Sequence, residues 1–218
     1  MKAVVLFSGG LDSTVLVHHL LREKADLKLL SIDYGQRHQR EIISSTQIAE
    51  SLQLPHFILS LPSLAKLLGG SALTDEKVSL PEGHYAEDSM KATVVPNRNM
   101  ILISLAAGHA ISLNFDTVAY AAHAGDHTIY PDCRPEFADA LDQTLKLADW
   151  KKITLHRPFV KWSKEDLVRH GKELGVPFEK TWSCYAGKEI HCGKCGTCVE
   201  RKEAFELVGL SDPTEYIY

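Results

Sequence analysis

An apolar run of strand length, Val4–Phe7, passes directly into Ser8-Gly9-Gly10, and Asp12, Ser13 and Thr14 then open a helical pattern. Strand, glycine pair and helix start, in that order, build an anion cradle. Glycine has no side chain to hold a ligand off, so backbone N–H groups can converge on phosphate oxygens. The helix that follows adds the unpaired N–H groups of its first turn and the positive end of its dipole. Ser8, Gly9, Gly10, Leu11, Asp12, Ser13 and Thr14 are therefore the candidate nucleotide-binding residues. Asp12 is the one group among them able to hold Mg²⁺. The Gly-Lys-Ser/Thr ending of a Walker A loop is missing, and so is Gly-x-Gly-x-x-Gly. A loop without that lysine points away from γ-phosphoryl transfer. A plain glycine turn is the alternative, but the intact Ser-Gly-Gly-x-Asp-Ser directly after a strand favours a nucleotide site.

The rest of the chain alternates strand and helix signals. Val15, Leu16, Val17, Leu20 and Leu21 give the first helix a buried face, and Leu27–Ile32 reads as a second strand ending at Asp33. Arg40–Leu52 is amphipathic and His56–Leu61 is a third strand. Thr117–Ala122 and Ile153–Leu155 supply two more, with helices over Glu136–Trp150 and from Ser163 to Leu174, the latter begun by a Ser-x-x-acid cap, Ser163-Lys164-Glu165-Asp166. The pattern predicts a parallel α/β sheet, Rossmann-like, with helices on both faces. Ligands in such sheets sit beyond the C-terminal strand ends, where Ser8–Ser13 and Asp33 both fall. The long connection Pro62–Pro96 reads as a lid or substrate loop. Asn97 or Asn99 is expected to cap a helix from Met100 to Leu113. Arg98 is placed to meet phosphate or carboxylate. A second polar cluster, His123 to Arg134, offers Asp126 and Asp132 for Mg²⁺ or for the N–H groups of a base, and Arg134 for a carboxylate.

Cys184, Cys192, Cys195 and Cys198 follow the spacing Cys-x7-Cys-x2-Cys-x2-Cys. Two-residue spacers aim neighbouring thiolates at one ion, and Gly193 and Gly196 permit the tight turns. Four thiolates fill a tetrahedral Zn²⁺ and leave no open position, so zinc there would be structural. An iron–sulfur cluster is the competing occupant. Cys133 stands apart and reads as non-catalytic. The net charge of −4 gives no global basic field for nucleic acid. No apolar run approaches the ~18 residues of a membrane span, and Met1–Phe7 is too short for a signal peptide. A cytoplasmic location is expected.

Several motifs now coincide. They are Phe7–Thr14, Asp33-Tyr34-Gly35-Gln36-Arg37-His38, Pro96-Asn97-Arg98-Asn99, His123–Arg134, Trp182-Ser183-Cys184-Tyr185, and His191–Cys198 with Arg201. The first resembles the pyrophosphate loop of the N-type ATP pyrophosphatases. The set resembles the 7-cyano-7-deazaguanine synthase family, the last motif being the most specific. That resemblance implies an adenine nucleotide α-hydrolase-like domain over residues 1–180 and a small zinc-binding segment with a C-terminal helix over 181–218. It implies a ligase that uses ATP with Mg²⁺, one structural Zn²⁺ per chain, and a homodimer. The implied substrates are 7-carboxy-7-deazaguanine and ammonium, with neither membrane nor nucleic acid as partner. The acid would be adenylated and converted to the amide, and a second adenylation would give the nitrile. Asp12, Ser8, Ser13 and Arg98 would be catalytic, and Asp33 would meet the nucleoside. Asp126, Tyr130, Asp132 and Arg134 would hold the deazaguanine. A tRNA-modifying enzyme with the same loop, thiolating or amidating, is the alternative, and a zinc-ribbon module that merely senses ATP is a more distant one.

Overall fold

The computed structural model describes residues 1–37, 39–85 and 88–218. His38, which closes the Asp33–His38 motif, lies outside the described residues. Five strands, β1 (Lys2–Leu6), β2 (Asp26–Asp33), β3 (His56–Ser60), β4 (Thr117–Ala119) and β5 (Thr154–His156), form one sheet in the order β3-β2-β1-β4-β5. Every pairing is parallel, as the alternation of strand and helix predicts. Seven helices are described: α1 (Leu11–Arg22), α2 (Arg40–Ser51), α3 (Ser63–Leu67), α4 (Arg98–Ser112), α5 (Pro135–Leu147), α6 (Lys164–Glu173) and α7 (Gly196–Leu207).

The two-residue period of a strand divides the core between the sheet faces. Val4, Leu30 and Ile32 pack on one side with Ile103 and Ala106 of α4 and Leu141 of α5. Ala3, Val5 and Leu29 pack on the other with Val15 and Leu16 of α1, Ile48 of α2, Leu167 of α6 and Phe205 of α7. Both layers are buried, which explains why β1 and β2 read as continuous apolar runs. The order reverses at β1: β2 lies on one side of it and β4 on the other. The C-terminal ends of β1 and β4 therefore diverge and leave a crevice.

Local chemistry sets the helix starts around that crevice. Gly9 has φ +77°, and a Cβ there would come within 2.4 Å of the Ser45 nitrogen on α2. The glycine lets the loop lie against α2, where the Gly9 carbonyl accepts from Trp182 N at 3.0 Å and Ser44 Oγ at 3.2 Å. Ser163 and Asp166 make the expected reciprocal cap of α6, with Ser163 Oγ accepting from Asp166 N at 3.3 Å and the Asp166 carboxylate accepting from Ser163 N at 3.1 Å. This fixes Lys164 as the first residue of α6.

The cap of α4 differs from expectation. Asn97 is left-handed, φ 56°, and its side chain makes no capping bond. The Asn99 N–H instead donates to Asp132 Oδ2 at 3.0 Å, so the cap comes from a distant segment. The Pro62–Pro96 connection also departs from the lid reading. It contains α3 and a 3-10 turn over Asp88–Thr93, buries Leu73, Tyr85, Met90 and Val95, and pairs Glu82 with Cys195. It is a wall seated on the cysteine segment.

Residues 181–218 share the core of the α/β body. Phe205 meets Phe178 edge to face at 5.0 Å. Arg201 is fully buried, yet every branch of its guanidinium is used. Nε and Nη2 donate to the Asp212 carboxylate, Nη1 to Thr181 Oγ1 at 2.7 Å, and Nη2 to the Phe178 carbonyl at 2.9 Å. Burial opposes the charge on Asp212, but Arg201 outweighs it and holds the carboxyl below its ordinary 3.8. The stability from this pair is therefore complete above that ordinary value and is lost as pH falls through the lowered one. Arg201→Ala is expected to cost about 3–5 kcal/mol, because it leaves the Asp212 carboxylate without its countercharge and the Thr181 and Phe178 oxygens without their donor. A shift of the denaturant midpoint at unchanged slope would register it, and a midpoint within error of the wild type would contradict the clamp.

Candidate active site and metal centre

The cleft at the switch point is lined by the loop after β1, the ends of β2 and β4, the start of α4 and the cysteine segment. Ser8, Gly10, Leu11, Asp12 and Ser13 line it, as the sequence reading expects. Ser8 Oγ accepts from Gly10 N and lies 3.2 Å from Ser13 Oγ, so the two hydroxyls stand together at the mouth of α1. The first N–H of α1 with an intrahelical partner is that of Thr14, on the Gly10 carbonyl at 3.0 Å. Gly10 offers no side chain to cap those before it, so the N–H groups of Leu11 to Ser13 are left for an anion. Thr14 itself is buried with Oγ1 on the Gly10 carbonyl at 2.8 Å. Thr14 and Gly9 shape the loop without lining the cleft.

Beside the loop lies a buried ionic cluster that sequence reading did not assemble. Lys164 Nζ is 2.8 Å from Asp12 Oδ1, 2.9 Å from Asp12 Oδ2 and 3.1 Å from Glu200 Oε2. Both carboxylate oxygens are ion-paired with that amine; only Oδ2 has hydrogen-bond alignment with it, and buried Oδ1 meets it by charge alone. His123 Nδ1 accepts from Gly125 N at 3.1 Å, which puts the ring proton on Nε2, facing Asp12 and Asp126 at 3.6 Å each. Tyr85 donates to Asp126 Oδ1 at 3.0 Å. Burial opposes the charge on Asp12, but Lys164 and then His123 outweigh it and hold its carboxyl below the usual range. Burial likewise opposes the charge on Lys164, yet Asp12 and Glu200 push its amine above the usual lysine value. Glu200 goes the other way: burial raises it beyond what Lys164 offsets. The missing loop lysine was the one signal that a cation must come from elsewhere, but nothing in the sequence singled out Lys164 or Glu200, which lie 152 and 188 positions from Asp12.

The other expected site residues divide. Asp126 and Tyr130 line the cleft, and Tyr130 Oη contacts Thr93 Oγ1 at 2.5 Å and Tyr185 Oη at 3.2 Å. Arg98 lines it from the start of α4, with Nε donating to Asn99 Oδ1 at 3.3 Å. Asp132 does not line it, since its carboxylate caps α4. Arg134 is exposed, Nε donating to the His127 carbonyl at 2.7 Å, and also lies off the cleft. Asp33 shapes the turn after β2 by accepting from Gly35 N at 3.1 Å and Ser60 Oγ at 3.4 Å, while its neighbours Ile32 and Tyr34 line the cleft. Cys133 is buried beneath Asn99 Nδ2, and burial pushes its thiol well above the usual range. That is the opposite of an activated nucleophile.

The four C-terminal cysteines converge: their Sγ atoms all lie within 4.8 Å of one another. Backbone N–H groups of Ala186 and Cys192 point at Cys184 Sγ at 3.4 and 3.3 Å, and Cys195 N points at Cys192 Sγ at 3.3 Å. Donors of this kind stabilise thiolates bound to a metal. The donor set and its spacing fit one tetrahedral ion. The same segment delivers Ser183, Tyr185, Thr197 and Glu200 to the cleft. Among the described residues no helix is long and apolar enough to cross a membrane.

Residues 2–209 match the family described as queuosine biosynthesis protein QueC. The chain is 52% identical over 218 residues to 7-cyano-7-deazaguanine synthase 1 of Mesorhizobium japonicum, covering 99% of this chain and 94% of that protein. It is 47% identical over 215 residues to the 7-cyano-7-deazaguanine synthase of Pseudoalteromonas translucida, covering 99% and 98%. Among solved structures it is similar in fold to NMN synthetase from Francisella tularensis, with a TM-score of 0.51 at 14% identity, over 96% of this chain and 77% of that one.

Proposed function

The chain belongs to the QueC family, and from that membership we propose that it converts 7-carboxy-7-deazaguanine and ammonia to 7-cyano-7-deazaguanine at the expense of ATP. The observation that carries this reading is the cleft itself, where an uncapped helix start and two hydroxyls meet a buried carboxylate at the switch point.

The chemistry asks the same thing of the protein twice. In each half-reaction an oxygen of the base attacks the α-phosphorus of ATP and pyrophosphate leaves. The carboxylate gives an acyl adenylate, and ammonia displaces AMP to leave the amide. The amide oxygen is then adenylated, and loss of AMP and protons leaves the nitrile. The N–H groups of Leu11 to Ser13 and the hydroxyls of Ser8 and Ser13 hold the departing pyrophosphate in line. Asp12 would hold Mg²⁺, which supplies Lewis acidity and charge neutralisation when bound. Arg98, with a fixed charge at the start of α4, lines the same cleft and would meet the anionic groups. Ile32 and Tyr34 flank the nucleoside half. Asp126 and Tyr130 offer acceptor and donor to the ring edge of the deazaguanine.

The four cysteines would hold one Zn²⁺, whose closed coordination makes it structural. Free ammonium as nitrogen donor, a homodimer and a cytoplasmic location complete the reading. The net charge of −4 supports a free base over tRNA as substrate. The test supplies Mg²⁺-ATP and ammonium with either the free acid or tRNA. AMP release with the free acid alone is the expected result. Release only with tRNA would transfer the protein to the tRNA-modifying class.

A further inference from the structure

A phosphate loop without a lysine leaves the charge of pyrophosphate to be met from elsewhere. A lysine does line the cleft beside this loop: Lys164, whose side chain is only 11% exposed and which touches Asp12 at 2.8 Å and Glu200 at 3.1 Å. Its backbone is pinned at the start of α6 by the Ser163–Asp166 capping box. Its four-carbon stem, by contrast, can reorient without moving the helix.

Two features make the position telling. Asp12 is the carboxylate beside the loop, so the lysine holds the oxygens that a divalent cation would need. An ammonium and a metal ion cannot share one carboxylate without strong like-charge repulsion. Glu200 comes from α7, a different element from Asp12, and gives the amine a second anchor when Asp12 is taken. The other charged or titratable groups facing the amine are His123, whose Nε2 is 3.4 Å from Nζ, and Asp126.

We propose that Lys164 is the phosphate-handling cation of this site: in the free protein it sits on Asp12 and Glu200 in the seat of the divalent cation, and it passes to the pyrophosphate oxygens when metal and nucleotide together take Asp12. The proposal rests on the reading of Ser8–Ser13 as the pyrophosphate loop. It has a consequence that a merely structural ion pair would lack: removing the lysine opens the seat to metal while weakening the hold on pyrophosphate. The two affinities move in opposite directions.

The test uses intact protein with its cysteine-bound metal, Mn²⁺ as the divalent probe followed by electron paramagnetic resonance, and inorganic pyrophosphate followed by calorimetry. Wild type is expected to bind Mn²⁺ about tenfold or more tightly when pyrophosphate is present. Lys164→Gln is expected to bind Mn²⁺ alone more tightly than wild type, and Mn²⁺-pyrophosphate about 10–100-fold more weakly. Lys164→Arg, which keeps the charge, is expected to restore most of the pyrophosphate affinity. Unchanged Mn²⁺ affinity, or unchanged pyrophosphate affinity, in Lys164→Gln would overturn the proposal and leave the loop reading standing. Wild type that fails to bind pyrophosphate even with Mn²⁺ would overturn the loop reading and this proposal with it. Should Lys164→Gln not fold, the wild-type titrations decide, since Mn²⁺ binding indifferent to pyrophosphate would refute an occupied seat.

Discussion

Asp12→Asn is expected to lower AMP release about a thousandfold or more while leaving the fold and the cysteine-bound metal in place. Removing one neutral donor from a preorganised anion site already costs about 10²–10³ in rate. Here the loss is a full charge, at the position where pyrophosphate and its cation would meet. Asparagine keeps the shape, and Lys164 keeps Glu200 as partner at 3.1 Å, so no buried cation is stranded. The Asp12 carboxyl is held below its ordinary 3.8, chiefly by Lys164 against the effect of burial. Its charged form is therefore complete at neutral pH, and the deficit should be flat across that range. Chromatographic counting of AMP, beside a melting curve, makes the comparison. Turnover near the wild-type rate would remove Asp12 from the chemistry.

The second large effect lies at the metal centre. Cys195→Ala is expected to give insoluble or non-cooperatively unfolding protein with less than one metal ion per chain. Cys195 is 2% exposed, caps the start of α7, pairs with Glu82, and supplies the carbonyl for the Cys198 and Val199 N–H groups. Alanine keeps those backbone bonds, but losing Sγ removes one of the four converging ligands and unties the start of α7, which presents Glu200 to the cleft and Arg201 to its clamp. With the proposed zinc bound, such a site contributes roughly 10–16 kcal/mol of apparent binding energy. A whole domain is stable by only about 5–15 kcal/mol, so little folding margin survives. Chelation of the wild type should act in the same direction. A soluble Cys195→Ala variant with unchanged melting behaviour and lost catalysis would mean that the centre is not structural.

The parts of the fold that were legible share a cause. β1 and β2 are covered on both faces, so Val4–Phe7 and Leu27–Ile32 carry an apolar signal that needs no partner to be recognised. The Ser163–Asp166 cap was legible because both halves lie within one turn. The cap of α4 was not, because Asp132 reaches Asn99 across 33 positions. Pro62–Pro96 looked like an open connection for a similar reason. Its buried residues, Leu73, Tyr85 and Met90, meet partners far along the chain and show no period of their own.

The site follows the same rule. The loop residues are contiguous and were found, whereas Lys164 and His123 meet Asp12, and Glu200 meets Lys164, only after the sheet, α6 and α7 are assembled. Asp33, Asp132 and Arg134 looked like ligand contacts because they sit in polar clusters after strands. In the structure their polar groups serve a turn, a helix cap and the His127 carbonyl. Polar residues at strand ends are needed for both purposes, and local sequence does not separate them.

The central claim is that one cleft adenylates the same substrate twice. The most direct measurement counts AMP released per nitrile formed, with Mg²⁺-ATP, ammonium and 7-carboxy-7-deazaguanine supplied to the purified protein. The account predicts two AMP for each nitrile from the acid, and one when the corresponding amide is supplied instead. A ratio of one from the acid, or nitrile formed from the amide without AMP, would contradict it.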